Sequence, residues 1–201
     1  MGPDAKVAPD GLHRVSHAPF GTLYMRPDYA FGSYPRFTMG RTQVHFKPDS
    51  RVLNNAEIAE IKERFDAVAR QLIAETGRVE VDKPGPCVAR VNLALVDVDF
   101  LDPKALSPHG TSTVLGSLTL VLEISDGYTA EPLLRYTRAR RLGGGPATGV
   151  DPAELTAVTT TLEAFARGIQ RDFQLALPRV AGGAPISCEE RAGLPPPVSA
   201  R

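Results

Sequence analysis

The segment from Tyr24 to Gly77 limits the fold more than any other part of the chain, because a strand pattern is followed there by a helix pattern with marked ends. A β-rich run from Pro35 to Phe46 ends at the turn residues Lys47-Pro48-Asp49. An apolar repeat at helical spacing begins a few residues later. A sheet and a helix that each have one apolar face must bury those faces against each other, so this segment predicts a mixed fold of sheet and helix.

The first predicted helix carries signals at both of its ends. Asn54 is a favourable N-cap, and Glu57 stands three residues later as its partner in a capping box. Leu53 and Ile58 can form the hydrophobic staple, and Gly77 provides a C-terminal stop. The predicted buried stripe consists of Ile58, Ile61, Phe65, Val68 and Leu72.

A second helix is predicted by the same signals near the C-terminus. Asp151 is the predicted N-cap, Pro152 occupies the first helical position, and Glu154 completes the capping box. Pro178 ends the helix. The predicted buried stripe consists of Leu155, Val158, Leu162, Phe165, Ile169 and Phe173.

Strands are predicted between the two helices. Cys87–Phe100 is β-rich and follows a short extended segment at Val79–Val81. Ser117–Ser125 alternates apolar with more polar residues, which is typical of a strand with one buried face. Asp126-Gly127 opens a hairpin turn, and Leu133–Arg141 returns as the next strand.

The predicted element order is β-α-β-β-β-α, and the predicted fold class is α+β. Each helix has one apolar stripe and the sheet has one apolar face. The economical solution is a two-layer sandwich, a four-stranded mixed sheet with two helices on one face. The domain is predicted to span residues 23–177, between an irregular N-terminal arm at 1–22 and a Pro/Gly-rich C-terminal tail at 178–201.

Composition argues against several classes of partner. Lys+Arg and Asp+Glu number 23 each, so no net field draws the chain toward nucleic acid or an anionic membrane. Stacking motifs for nucleic acid are also absent from the sequence. No apolar run reaches the ~20 residues of a membrane helix, and the N-terminal residues lack the apolar core of a signal peptide. We therefore expect the protein to be either cytosolic or exported by a signal that was removed before Met1.

Three parts of the chain carry a resemblance to a known family, namely Tyr24–Asp49, the Asp82–Pro86 corner with the strand end Val96–Asp99, and Leu118–Arg141. They resemble domain-of-unknown-function family 3313, a group of bacterial envelope lipoproteins. The resemblance covers roughly residues 22 to 176. It implies a protein on the periplasmic side of the envelope, near the outer membrane, anchored by lipid on a cysteine upstream of this sequence. The implied partner is an envelope protein or an anionic lipid or glycan surface.

The two cysteines, Cys87 and Cys188, bear on the cellular compartment. If they bond, they close a loop of about 100 residues and stabilise the fold by about 4 kcal/mol in the chain-entropy model. Such a bond persists in an oxidising compartment. The alternative is two unrelated thiols, one at the start of a strand and one in the tail. No Cys-x-x-Cys pair occurs, and we predict neither a metal nor a cofactor.

Arg135, Arg138, Arg140 and Arg141 form the one local basic cluster. As a functional surface it would contact lipid headgroups, lipopolysaccharide phosphates or an acidic partner. Strand alternation sends Arg135 and Arg141 to one face and the other two to the opposite face, so the cluster is a ribbon. The alternative is a solvated strand whose arginines pair with neighbouring carboxylates.

A small hydrolase or transferase is the alternative hypothesis. Asp97 and Asp99 are predicted to share one face of their strand, and His109 lies in a loop beyond it. His13 and His17 have a spacing that can chelate a metal, but they lie beside a proline in the arm, without nearby carboxylates. No nucleophile motif accompanies the histidines.

The favoured hypothesis is a non-enzymatic binding or structural accessory module of the envelope. Its partner would bind the less buried face of the sheet, to which Arg90, Asn92, Thr119 and Glu123 contribute, or an exposed edge strand. A homodimer through that edge is a further hypothesis, motivated by the open sheet.

Overall fold

The computed structural model describes residues 6–15, 18–29, 31–48, 50, 53–100, 114–143, 153–176 and 186–193. Its strands are β1 (His13–Val15), β2 (Thr22–Met25), β3 (Arg36–Phe46), β4 (Val79–Glu80), β5 (Val88–Phe100), β6 (Val114–Asp126) and β7 (Pro132–Gly143). Its helices are α1 (Asn55–Ala74), α2 (Ala153–Ala176) and the short α3 (Cys188–Arg191). Across these ranges, no helix combines the length and the apolar character that spanning a membrane requires.

The strands form one mixed sheet of seven in the order β1-β2-β7-β6-β5-β3-β4. β3 runs parallel to its neighbours β4 and β5, and the remaining neighbouring pairs are antiparallel. The α+β class is confirmed. The predicted four strands and two helices were too few, because the sheet has seven strands and α3 adds a third helix.

β1 lies within the segment predicted as an irregular arm, and β2 begins at the end of that segment. The two strands pair antiparallel. They have three and four residues, too few for apolar alternation to be recognised. β2 is held by β7, with Leu23 opposite Tyr136. This pairing joins distant parts of the chain, so local sequence patterns carry no sign of it.

The N-terminus of α1 is built as its sequence predicts. The Asn54 side chain accepts hydrogen bonds from the backbone N–H groups of Ala56 and Glu57. The Glu57 carboxylate in turn accepts from the Asn54 backbone N–H at 2.8 Å. The predicted capping box is therefore confirmed.

The buried stripe of α1 is rotated relative to the prediction. Val68 and Leu72, predicted as buried, are only half-buried and line a groove between α1 and α2. The stripe follows positions four residues apart because the helix meets the sheet and α2 along that row. The buried residues of α1 are Ile61, Phe65, Ala69 and Ile73.

α2 packs on the same face of the sheet as α1. The Phe165 ring lies 6.0 Å from the Phe65 ring of α1 and 5.6 Å from the Tyr136 ring of β7, between ring centroids. The predicted N-terminal signals Asp151 and Pro152 lie outside the described residues. The side chains of Leu155 and Phe173 also lie outside the description, and the other four residues of the predicted stripe are all buried, namely Val158, Leu162, Phe165 and Ile169.

A short part of the predicted tail packs against the domain. The backbone N–H of Ile186 donates to the carbonyl of Asp28 at 2.9 Å. Two residues later Cys188, which is fully buried, forms a disulfide with Cys87. The segment 186–193 therefore belongs to the folded domain.

Candidate binding face of the sheet

One face of the sheet is not covered by the two long helices, because α1 and α2 both pack on the opposite face. Two rungs of side chains cross β5, β6 and β7 on this uncovered side. The strand register places Ala94, Val121 and Thr137 in one rung. It places Val96, Thr119 and Ala139 in the next. We call these six residues the outer patch.

The outer patch consists of small or β-branched side chains and carries no charge. Five of its residues are half-buried and Ala139 is exposed. By contrast Leu95 and Leu120, which face the helices, are 1% and 0% exposed. Small and β-branched side chains on a pleated sheet form a surface without a deep cleft. Such a surface fits a macromolecule better than a small ligand, which needs a concave site.

A fixed ion-pair cluster borders the outer patch on the side of β2. The Arg135 guanidinium donates to Glu123 through Nε at 3.0 Å and through Nη2 at 2.8 Å, and it also binds Asp10. Burial alone would lower the pKa of Arg135, but the bonds to Glu123 and Asp10 outweigh it and raise the pKa. Arg135 therefore stays charged and is held in one orientation.

The N-terminal segment covers this end of the sheet. Ala8, Leu12 and Tyr24 form a small buried cluster separate from the main core. Arg26 strengthens it, since its Nη2 donates to the Asp10 carbonyl at 3.2 Å. The segment predicted as an irregular N-terminal arm therefore forms one border of the candidate face.

Arg90, Asn92 and Glu123 lie on the candidate face, in the half-buried positions that the sequence predicts for them. The Asn92 amide has a structural task as well, because its Oδ1 accepts from the Arg41 backbone N–H at 3.2 Å. This bond sits at an irregularity of β3, where a Cβ on Gly40 would lie 2.1 Å from Asn92 Oδ1. Only glycine fits that position without displacing Asn92.

The four clustered arginines have different environments. Arg138 is 7% exposed, lies 5.5 Å from the centroid of the Phe20 ring, and donates to the Ala164 carbonyl on the helix side at 3.4 Å. Arg140 and Arg141 are exposed. Arg135 is therefore bound to two carboxylates and Arg138 is buried, whereas Arg140 and Arg141 are exposed on opposite faces of the strand and form no ion pair with the described residues.

The residues of the enzyme hypothesis are only partly described. Asp97 is exposed, with a left-handed φ of 53°, at a register shift between β5 and β6. Asp99 accepts from Lys47 at 3.2 Å. The irregular backbone at Asp97 interrupts the alternation on which the shared face was predicted. His109 lies outside the described residues, so this hypothesis stays untested.

Buried tyrosine–carboxylate pairs are features that sequence reasoning missed. Tyr136 donates to Asp172 at 2.6 Å, and Tyr34 donates to Asp126 at 2.6 Å. Asp172 also accepts from the Phe20 backbone N–H at 3.1 Å. Burial, and next the bond to the carboxylate, raises the pKa of both tyrosines above their usual value. The Tyr136–Asp172 pair does have a signal in the sequence, because Asp172 lies three residues after Ile169 and therefore on the apolar side of α2.

The described residues bring one group of potential metal ligands together. One group of three lies with its ligand atoms within 4.8 Å of one another, namely Cys87, Cys188 and Glu189. Both sulfurs are in the disulfide, whereas metals bind the thiolate. His13 is exposed in β1, and His17 lies outside the described residues.

Comparison with known proteins finds distant structural likeness and no close relative. No family model matches the chain, and no curated protein matches it. A PelC dodecamer structure from Paraburkholderia phytofirmans has a TM-score of 0.41 at 10% identity over 75% of this chain and 97% of that chain. A neuraminyllactose-binding hemagglutinin homolog from Helicobacter pylori has a TM-score of 0.40 at 9% identity, over 74% and 90%.

A Xanthomonas campestris protein from domain-of-unknown-function family 330 has a TM-score of 0.37 at 10% identity, over 73% of this chain and 94% of that chain. Likenesses at this level support no statement about the function of this chain. The resemblance to family 3313 stays a prediction.

Proposed function

We propose that this protein is a non-enzymatic binding module of the bacterial cell envelope, which holds a partner on the outer patch. The observation that carries the proposal is the sheet face left uncovered by α1 and α2, which carries two complete rungs of small or β-branched side chains, five of them half-buried and Ala139 exposed. A face of this kind loses little conformational entropy on binding, because short side chains on a sheet have few rotamers to lose.

The border of the patch supports the same function. Arg135 is oriented by Glu123 and Asp10 before any partner arrives. Pre-organised charges of this kind add specificity at the rim of an interface more than they add affinity. A partner protein or an anionic lipid or glycan surface would be oriented by this rim and by the exposed Arg141.

The envelope location is supported by the disulfide. Cys87 and Cys188 are bonded and almost fully buried, and bonds of this kind persist in the periplasm but are rare in the reducing cytosol. We propose that the protein faces the periplasm and that a lipid on an upstream cysteine anchors it to the outer membrane. Intact mass of the mature product of the native gene tests the anchor, because an acylated N-terminal cysteine adds the mass of the acyl chains.

Site-directed photo-crosslinking in the native host tests the binding function. A photoreactive amino acid in place of Val121 should give one discrete adduct, because Val121 is central in the outer patch. The matched control is the same amino acid at Glu63, an exposed position on α1, which should give no such adduct. Absence of an adduct from Val121 and also from Thr119 would contradict the proposal.

Thiol trapping in the same cells tests the compartment. If the protein is exported, a thiol-specific reagent added before lysis should leave Cys87 and Cys188 unmodified until a reductant is supplied. Two free thiols in the native host would place the protein in a reducing compartment and would contradict the envelope location.

A further inference from the structure

β3 has an edge that is largely unpaired. β5 pairs with one side of β3 from Arg36 to Phe46, but β4 pairs with the other side only at Arg36 and Phe37. Within the described ranges, no strand pairs with that side beyond Phe37. The segment from Thr38 to Phe46 therefore presents backbone N–H and C=O groups that another strand can bind.

On the side away from the helices, this edge carries exposed polar side chains. Arg41, Gln43 and His45 are all exposed. His45 Nε2 lies 3.2 Å from Gln43 Oε1, so these two side chains share one face of β3. An added strand would place every second side chain beside this row.

On the helix side, the edge carries apolar side chains that are incompletely covered. Val44 and Phe46 pack against the main core but are only half-buried. Leu95, which stands beside Val44 on β5, is 1% exposed. At this level β5 has a strand on both sides, whereas β3 has β5 on one side only because β4 ends beside Phe37, and this accounts for the difference. Thr42 donates a hydrogen bond to Asp66 of α1, which adds a polar contact on the helix side of this edge.

The charge of the edge indicates which strand fits. Lys47 is paired with Asp99 at 3.2 Å, but Arg41 forms no ion pair with the described residues. If two copies paired antiparallel about Gln43, Arg41 of one copy would stand opposite His45 of the other, and the pairing would supply no carboxylate to Arg41. Opposite charges on facing side chains stabilise strand pairing. An acidic strand is therefore favoured over a second copy of this chain.

We infer that β3 accepts an added strand from a partner protein, with carboxylates on one face of that strand and apolar side chains on the other. The carboxylates would bind Arg41 and His45, and the apolar side chains would cover Val44 and Phe46. This inference rests on the proposed binding function and deepens it, because it names the chemistry of the partner.

The test uses the full chain and a capped peptide of about ten residues in which Glu alternates with Val or Ile. Binding should shift the backbone amide resonances of β3 and slow their hydrogen exchange. Arg41→Glu should weaken binding about tenfold, because like charges then face each other. Arg140→Glu, which changes an exposed arginine on β7, should leave binding unchanged. A peptide with N-methylated backbone amides should bind at least about tenfold more weakly, since it lacks the donors of the ladder.

Several outcomes would overturn the inference. One is equal affinity of the peptide for the Arg41→Glu variant and the original chain. Another is equal affinity for a peptide in which Lys replaces every Glu. A concentration-dependent dimer with protected β3 amides would assign the edge to a second copy. If peptide binding fails while Val121 still gives its crosslink, strand addition is wrong and the proposed function stands. If the crosslink fails while the peptide binds β3, the outer patch is wrong.

Discussion

Breaking the Cys87–Cys188 bond tests how the C-terminal segment contributes to stability. The bond spans a sequence separation of 101 residues, so it restricts the unfolded chain strongly. The native position of the segment does not depend on the bond alone. Arg191 also pairs with Asp28 and Glu131, each at 2.9 Å. We therefore expect the folded structure to survive removal of the bond, with the loss appearing in the free energy of unfolding.

The magnitude follows from the length of the closed loop. Chain entropy for a loop of this size gives about 4.7 kcal/mol at 25 °C. For a chain of 201 residues, each kcal/mol shifts Tm by about 2–4 °C, so Tm should fall by roughly 10–20 °C. With a urea m-value of about 2.5 kcal/mol/M, the midpoint should fall by roughly 2 M.

Urea unfolding followed by far-UV circular dichroism is the assay. The Cys87→Ala/Cys188→Ala double variant and the reduced original chain should lose similar stability, because both lack the same constraint. Reductant added to the double variant should change nothing. A loss of less than about 1 kcal/mol, in a protein whose intact mass proves the bond, would refute the loop-entropy reasoning.

Three further predictions concern single side chains. Tyr136→Phe removes the donor to buried Asp172 and should lower the free energy of unfolding by about 1.5–3 kcal/mol in urea titrations. Asn54→Ala removes the α1 cap and should cost about 1 kcal/mol, whereas Asn55→Ala one residue later should cost almost nothing. The raised pKa of Tyr34 means that the folded state holds the phenol proton more tightly. The contribution of this group to stability should therefore be constant below pH ~10 and fall above it, by at most about 1.4 kcal/mol per pH unit, and Tyr34→Phe should flatten that fall.

Each of these predictions has an outcome that contradicts it. Tyr128→Phe, at a side chain that is 62% exposed, should be neutral, and an equal loss there would remove the case for the buried pair. An Asn55→Ala loss equal to that of Asn54→Ala would contradict the capping assignment. An unchanged alkaline slope in Tyr34→Phe would mean that this phenol does not contribute to the pH dependence.

Features that depend on residues close in sequence were predicted well. The capping box of α1 needs only Asn54 and Glu57 at the right spacing, and the structure confirms it. The long strands β5, β6 and β7 were also predicted, because alternation over many residues is visible locally. The stripe of α1 was predicted less well, since Ile73 and not Leu72 is the buried residue. The position of α2 in the fold decides which of two adjacent residues of α1 is buried.

Features that depend on distant partners were missed. β2 becomes a strand through pairing with β7, and β1 becomes a strand through pairing with β2. The basic cluster shows the same limit. Alternation correctly separates Arg135 from Arg138, but only the fold brings Asp10 to Arg135 and Phe20 to Arg138.

The sequence by itself determined the two long helices, the long strands and the α+β class. It did so because caps, turns and hydrophobic periodicity act over a few residues. Tertiary structure decided which face of the sheet α1 and α2 leave uncovered, which arginines are already paired, and which strand of the described residues lies at an open edge. These properties arise from contacts between residues far apart in the chain, and side chains acquire their burial and partners only when those contacts form.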